Sequence, residues 1–260
     1  MRWGNIRALM FRDFRVLMTS KFRLVEIFYF PITTIIIWGF FSIYARGFSL
    51  EAGLMVLIVN IFWNFALLTQ SSTNMLINED VWSGSLKHVL LSGISEFEYL
   101  ASRIISSTIT SLMVLGIMFG MSLLWFGLGA LGASMSIVGF LGLITLVASI
   151  GLAIMVAALF IYAGREYGFL AWTFLQLFVL FSAPFFAVSV YPEPIRTISA
   201  AMPFTRVFEG VRSLTSAGMV EGSTLWMGLF VAIIYVIAAI PMYYFAFRRA
   251  RRTGELVRME

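Results

Sequence analysis

Asn78-Glu-Asp-Val-Trp-Ser-Gly-Ser-Leu-Lys-His-Val-Leu-Leu-Ser-Gly-Ile-Ser-Glu-Phe-Glu-Tyr-Leu-Ala-Ser-Arg103 is a polar, charge-bearing island between two long uncharged runs, Ala52 to Asn78 and Ile104 to Gly164. Charged groups are expensive in hydrocarbon, so the island belongs in water while its flanks read as membrane-embedded. Within it Val81, Leu86, Val89, Leu90, Ile94, Phe97 and Leu100 recur at spacings near three and four, and Lys87, His88, Glu96 and Glu98 lie off that stripe. The pattern predicts short amphipathic helices broken at Gly84 and Gly93, able to lie against lipid or a protein, or to form a solvated loop.

Composition points the same way. Apolar residues make up 60% of the chain, charged residues only 12%, and the mean hydropathy is +0.94, which defines an all-α integral membrane protein. The chain has no cysteine, which excludes disulfides, thiolate metal sites and cysteine nucleophiles. His88 is the single histidine, so one chain cannot build a multi-histidine metal site.

Residues 1–26 carry Arg2, Arg7, Arg12, Arg15, Lys21 and Arg23 against Asp13 and Glu26, without the apolar core of a cleavable signal. Trp3, Ile6, Met10, Phe14 and Leu17 share a helical face. This predicts an amphipathic interface helix lying in the headgroup layer.

A crossing helix needs roughly 20 apolar residues. Ile27 to Ala45 and Ala52 to Asn78 supply two. The uncharged run 104–164 supplies two more, folded at Gly127, Gly129 and Gly132. Tyr167 to Val190 reads as the fifth and Gly222 to Phe247 as the sixth, which places both termini on one side. The segments 1–26, 78–103, 163–166 and 248–260 hold six, two, one and five of the 18 Lys and Arg, against Arg46, Arg196, Arg206 and Arg212 on the other side. The bias predicts a multi-pass protein of the cell membrane with both termini and the island in the cytoplasm. Arg248, Arg249, Arg251 and Arg252 read as a stop and an anionic-lipid anchor rather than a nucleic-acid site.

The long outer connection, 191–221, is punctuated by Pro192, Pro194 and Pro203 and reads as two short helices, near 194–202 and 203–216. Phe204, Val207, Phe208, Val211 and Leu214 line one side of the second, and Glu209 stands three residues from both Arg206 and Arg212. Such a pair either rests on the outer surface or re-enters the bilayer as a gate, in which Pro203, Thr205, Arg206, Glu209 and Arg212 are the candidate residues. In the second span Asn60, Asn64, Ser71, Asn74 and Asn78 form a polar stripe. It should face other helices, a dimer partner or a wet pathway.

Glu79, Gly84, Ser85, Leu86, Leu90, Leu91, Ser92, Ile94 and Ser95 resemble the cytoplasmic segment of type-two ATP-binding-cassette permeases, where a Glu precedes a Gly-Thr-Leu-like turn, a Leu-rich helix and a Ser-Pro-Ile-Ser-like break. Met202-Pro-Phe-Thr-Arg-Val-Phe-Glu-Gly-Val-Arg212 resembles that family's Asn-Pro-Leu-Thr motif after the fifth span. Gly93 stands where the family usually has Pro, and Met202 where it has Asn.

The resemblance covers the whole chain, 1–260, as a single transmembrane permease domain. It implies an export permease of six transmembrane helices with an N-terminal amphipathic interface helix (1–26), a cytoplasmic coupling helix (78–103) and a short outer re-entrant pair between spans five and six (191–221). The coupling helix would dock in a groove of a separate ATPase, through Glu79, Gly84, Ser85, Leu86, Leu90, Leu91, Ile94 and Ser95. The working unit it implies is two ATPase copies and two permease copies, identical or similar, among membrane lipids. This chain has no phosphate loop and would bind no cofactor itself, leaving ATP and Mg to the partner ATPase. The expected cargo is hydrophobic or lipid-like.

Two other readings stay open. An intramembrane lipid-modifying enzyme needs paired carboxylates or a positioned base, and Glu79 with Asp80 is the acidic pair near water. A gradient-driven secondary transporter needs an ionisable carrier inside the spans, where the uncharged runs supply none.

Overall fold

The computed structural model describes residues 2–163 and 169–253. Every regular element among them is a helix: α1 (Trp3–Thr19), α2 (Lys21–Leu24) with a π turn (Val25–Tyr29), α3 (Phe30–Ala45), α4 (Leu50–Trp82), α5 (Ser85–Leu91), α6 (Glu96–Trp125), α7 (Met135–Ala163), α8 (Leu170–Phe181), α9 (Ile195–Ala201), α10 (Thr205–Ala217) and α11 (Gly222–Thr253). Five stretches are long and apolar enough to cross a membrane: 27–45, 50–82, 96–125, 131–163 and 222–252. The split of the run 104–164 falls at Gly127, whose φ of 66° ends α6 before a 3-10 turn over Leu128–Ser134.

The crossing expected at Tyr167–Val190 takes a different form. Among the described residues its α-helical part, α8, has 12 residues, or roughly 18 Å, against a bilayer core of about 30 Å. Pro184 lacks the amide a continuing helix would use and disfavours helix at the residue before it; Ala183 stands at φ 51°. Leu180 and Ala183 carbonyls left free by the break accept from the Tyr191 hydroxyl and, at 2.7 Å, from the Arg212 guanidinium. The turn expected at 163–166 and the start of this crossing at Tyr167 lie, for the most part, outside the described residues.

Two hydrophobic cores occupy opposite ends of the bundle. One gathers Ile35, Leu57, Ile58, Phe62, Leu141 and Ile144 around the buried face of α10, Val207, Phe208, Val211 and Leu214. The other joins Leu9 of α1 and Leu86 of α5 to Ile77, Tyr99, Ile161, Tyr243 and Phe247. Between them α7 and α11 lie side by side. Lipid gives little drive for association, so small residues permit the close approach: a Cβ on Gly151 would stand 3.0 Å from the Val236 amide nitrogen.

The polar stripe of α4 is used inside the chain. Asn74 Nδ2 donates to the Ala153 carbonyl of α7 at 2.9 Å, Gln70 Nε2 donates to Asn74 Oδ1 at 2.8 Å, and Thr73 meets Ser107 of α6. Asn60, Ser71 and Asn74 are buried among the chain's own helices; Asn64 is half-buried and donates to the Asn60 carbonyl. Interhelical bonding accounts for Asn74.

Gly151→Leu should force α7 and α11 apart, lowering stability by about 1–3 kcal/mol through overpacking. A fall in the unfolding temperature of the purified chain checks this, with Gly139→Leu, whose added Cβ meets nothing within 4 Å, as the neutral control.

Candidate functional site

The polar island folds as a helix interrupted twice. α4 runs on to Trp82, Gly84 at φ 66° turns the chain into α5, and Gly93 at φ 81° turns it out again, each an arrangement that strains a side chain with a Cβ. Ser95 opens α6 with a capping box: its hydroxyl accepts from the Glu98 amide and the Glu98 carboxylate accepts from the Ser95 amide, both at 3.2 Å.

Behind the island lies a buried ion cluster that sequence reading missed. Arg103, fully buried on α6, donates to Asp13 of α1 and, at 2.8 Å, to Asp80 of α4. Asp80 also accepts from Arg12 at 2.8 Å, from the Tyr99 hydroxyl at 2.9 Å and from the Ser85 hydroxyl at 2.8 Å. Ser106 donates to Asp13 at 2.9 Å, and the Arg103 guanidinium lies 4.7 Å from the centre of the Tyr99 ring. Two guanidiniums face two carboxylates, so the cluster is electrically balanced. It ties α1, α4, α5 and α6 together.

Two flanking clips extend it. Glu79 accepts from Arg23 Nε at 2.7 Å, and Glu98 accepts from the Arg2 amide and, at 2.9 Å, from Asn5. These contacts change the expected seating of the first helix. The inward face of α1 is Ile6, Leu9, Asp13 and Leu17, set on α6, while Trp3 is exposed and Met10 and Phe14 are half-buried. Asp13 anchors that phase, because its carboxylate must meet Arg103.

The residues expected to dock a partner divide into two sets. Glu79, Ser85 and Leu86 face inward to the clips and the core, and Gly84 and Ser95 shape the turns. Leu90 and Ile94 are half-buried, and Leu91 is 84% exposed, with Trp82 and Phe97 exposed on either side. The result is an apolar ridge outside a rigid ionic back. Local signals for the cluster are faint: Arg103 ends the charged island, and Asp13 falls four residues from both Leu9 and Leu17.

At the opposite end the two short helices of the 191–221 connection fall at 195–201 and 205–217, near their expected bounds. α10 packs on α4, α7 and α11, with Pro203 and Thr205 buried and the Thr205 hydroxyl bonded to the Ser199 carbonyl. Glu209 pairs with Arg206 at 2.8 Å, leaving Arg212 to serve the break after α8. Outside the spans, the Thr197 hydroxyl and then Arg196 hold the Glu193 carboxyl below its usual range. Among the described residues no group of three or more His, Cys, Asp or Glu is placed to hold a metal ion.

The architecture is that of a multi-pass helical membrane protein with an ion-paired turn at one end and a packed helix hairpin at the other. Compared with known proteins, the chain matches no protein-family model and no curated protein.

Arg103→Met would leave Asp13 and Asp80 buried without their shared partner, a change expected to cost about 3–5 kcal/mol. Unfolding in mixed micelles measures it. Adding Asp13→Asn should recover part of the loss, as coupled sites do.

Proposed function

We propose that this chain is the membrane-spanning permease subunit of an ATP-driven exporter of the type-two ATP-binding-cassette kind, moving a hydrophobic or lipid-like molecule out of the cytoplasm. Six crossings make up the subunit in this reading, with α8 and the turn after it as a short fifth. The tails and α5 face the cytoplasm, and a separate ATPase binds Mg and ATP.

The observation that carries the reading is the pairing of an exposed ridge with a fixed back on one short helix. Leu91 stands 84% exposed on α5, while Leu86 and Ser85 of the same helix are held by the core and by Asp80. A soluble protein can push on such a helix without melting it. The displacement passes through Asp80 to α4 and through Arg103 to α6, both of which continue into the bundle. A driven switch requires a partner that contacts two arrangements differently, and closure of an ATPase pair against α5 would supply that difference. α10, seated against three long helices, is the element suited to gate the far end.

Leu91→Asp tests the docking role at little cost to folding, since exposed substitutions usually change stability by within about 0.5 kcal/mol. A soluble ATPase should co-purify with the wild-type chain in mild detergent and be reduced about tenfold or more by the variant, a loss of about 1.4 kcal/mol in affinity. Gel-filtration volume and unfolding temperature should stay unchanged. A wild-type chain that purifies with no ATPase activity under any mild detergent would sink the reading.

A further inference from the structure

The end of the bundle that carries α5 also holds a polar cleft on α11. Tyr244, Arg248, Arg251 and Arg252 fall at i, i+4, i+7 and i+8 and so share one helix face. With Phe247, and with Glu96 from the first turn of α6, they line a cleft of about 340 Å³.

Three guanidiniums there face one carboxylate. Arg251 meets Glu96 at a loose 3.5 Å, Arg248 reaches the Tyr244 hydroxyl at 3.4 Å, and Arg252 has no ion-pair partner among the described residues. Arg249, the other arginine of the run, is engaged elsewhere, 4.1 Å from the centre of the Tyr162 ring. Among the described residues the cleft therefore stays net positive after its internal pairing. Toward the middle of α11, Ile240 and Ile237 stand four and seven residues before Tyr244, on the same helix face as the cleft, and are exposed side chains of a spanning helix, which makes them lipid-facing. An occupant with an anionic head in the cleft and apolar chains along Ile240 and Ile237 is a phospholipid.

We propose that this α6–α11 cleft is a discrete binding site for the phosphate of an anionic membrane phospholipid. Guanidinium forks match phosphate oxygens in bidentate geometry, and basic clusters just beyond a span draw anionic headgroups. Two helices build the site, which sets it apart from diffuse attraction along a basic tail. The phosphate competes with Glu96 for Arg251, so occupancy alters a contact on the first turn of α6, next to the Gly93 turn. The site does not depend on the exporter reading.

Native mass spectrometry of the delipidated full chain provides the test, titrated with dioleoyl phosphatidylglycerol, dioleoyl phosphatidylcholine or sodium phosphate. One saturable phosphatidylglycerol per chain is expected at concentrations where phosphatidylcholine is not retained. Arg248→Gln with Arg252→Gln should weaken retention about tenfold or more by removing two charge-assisted contacts. Arg7→Gln with Arg15→Gln, which removes equal charge from the exposed face of α1, should leave it nearly unchanged. Arg252→Gln alone, at an exposed position, should show a smaller loss in the same direction and guards against misfolding of the double variant. Equal losses in both double variants, unchanged retention in the Arg248 and Arg252 pair, or displacement of the lipid by millimolar sodium phosphate would each overturn the proposal. No ATPase enters the measurement.

Discussion

A fully buried guanidinium sets the terms for one end of this molecule. Removing Arg103 from water is costly unless carboxylates and further hydrogen bonds replace its hydration, and no residue of α6 itself supplies the carboxylate. Asp80 must come from α4 and Asp13 from α1. The ionic requirement therefore fixes where α4 ends relative to α6 and which face of α1 turns inward. The apolar contacts of Ile6, Leu9 and Leu17 follow from that placement.

The same cluster explains why α5 can be short and exposed yet fixed. Seven residues make less than two complete turns, too few for a stable helix in water on propensity alone. α5 is held by Leu86 in the core and by Ser85 on Asp80, between glycine turns whose positive φ a residue with a Cβ would adopt only with strain. A ridge so supported has a fixed position relative to α4 and α6, which a ridge on a free loop would lack. Glu98 works to the same end, since it closes the cap of α6 and holds the amide of Arg2 at once.

The parts that sequence made legible are those governed by local chemistry. Charge-free runs located α3, α4, α6, α7 and α11, and Gly84, Gly93 and Gly127 marked turns where their positive φ angles now stand. Pro203 and the periodicity after it placed α10 within about two residues, the usual uncertainty of helix ends. Counting apolar residues could not see the break at Ala183 and Pro184, because a helix and a kinked segment of equal hydropathy count alike. Asp13 and Arg103 lie ninety positions apart. Nothing near either residue announces the other, and the apolar stripe through Trp3, Met10 and Phe14 offered a plausible competing face for α1.

The opposite end solves a different problem with the same residue type. Helices that stop inside or beside hydrocarbon leave carbonyls that water does not reach. Arg46 donates to the Phe126 carbonyl at the end of α6, beside Gly127, where a Cβ would stand 2.7 Å from the Arg46 guanidinium. Arg212 donates to the Ala183 carbonyl at the break after α8. Both place a cation at the negative end of a helix, where the macrodipole favours it. Arg206 and Arg196 are matched by Glu209 and Glu193. The four arginines that the charge count leaves outside thus each have a structural partner, so the side of the molecule poorest in basic residues keeps those whose removal would leave a helix end or a carboxylate unanswered.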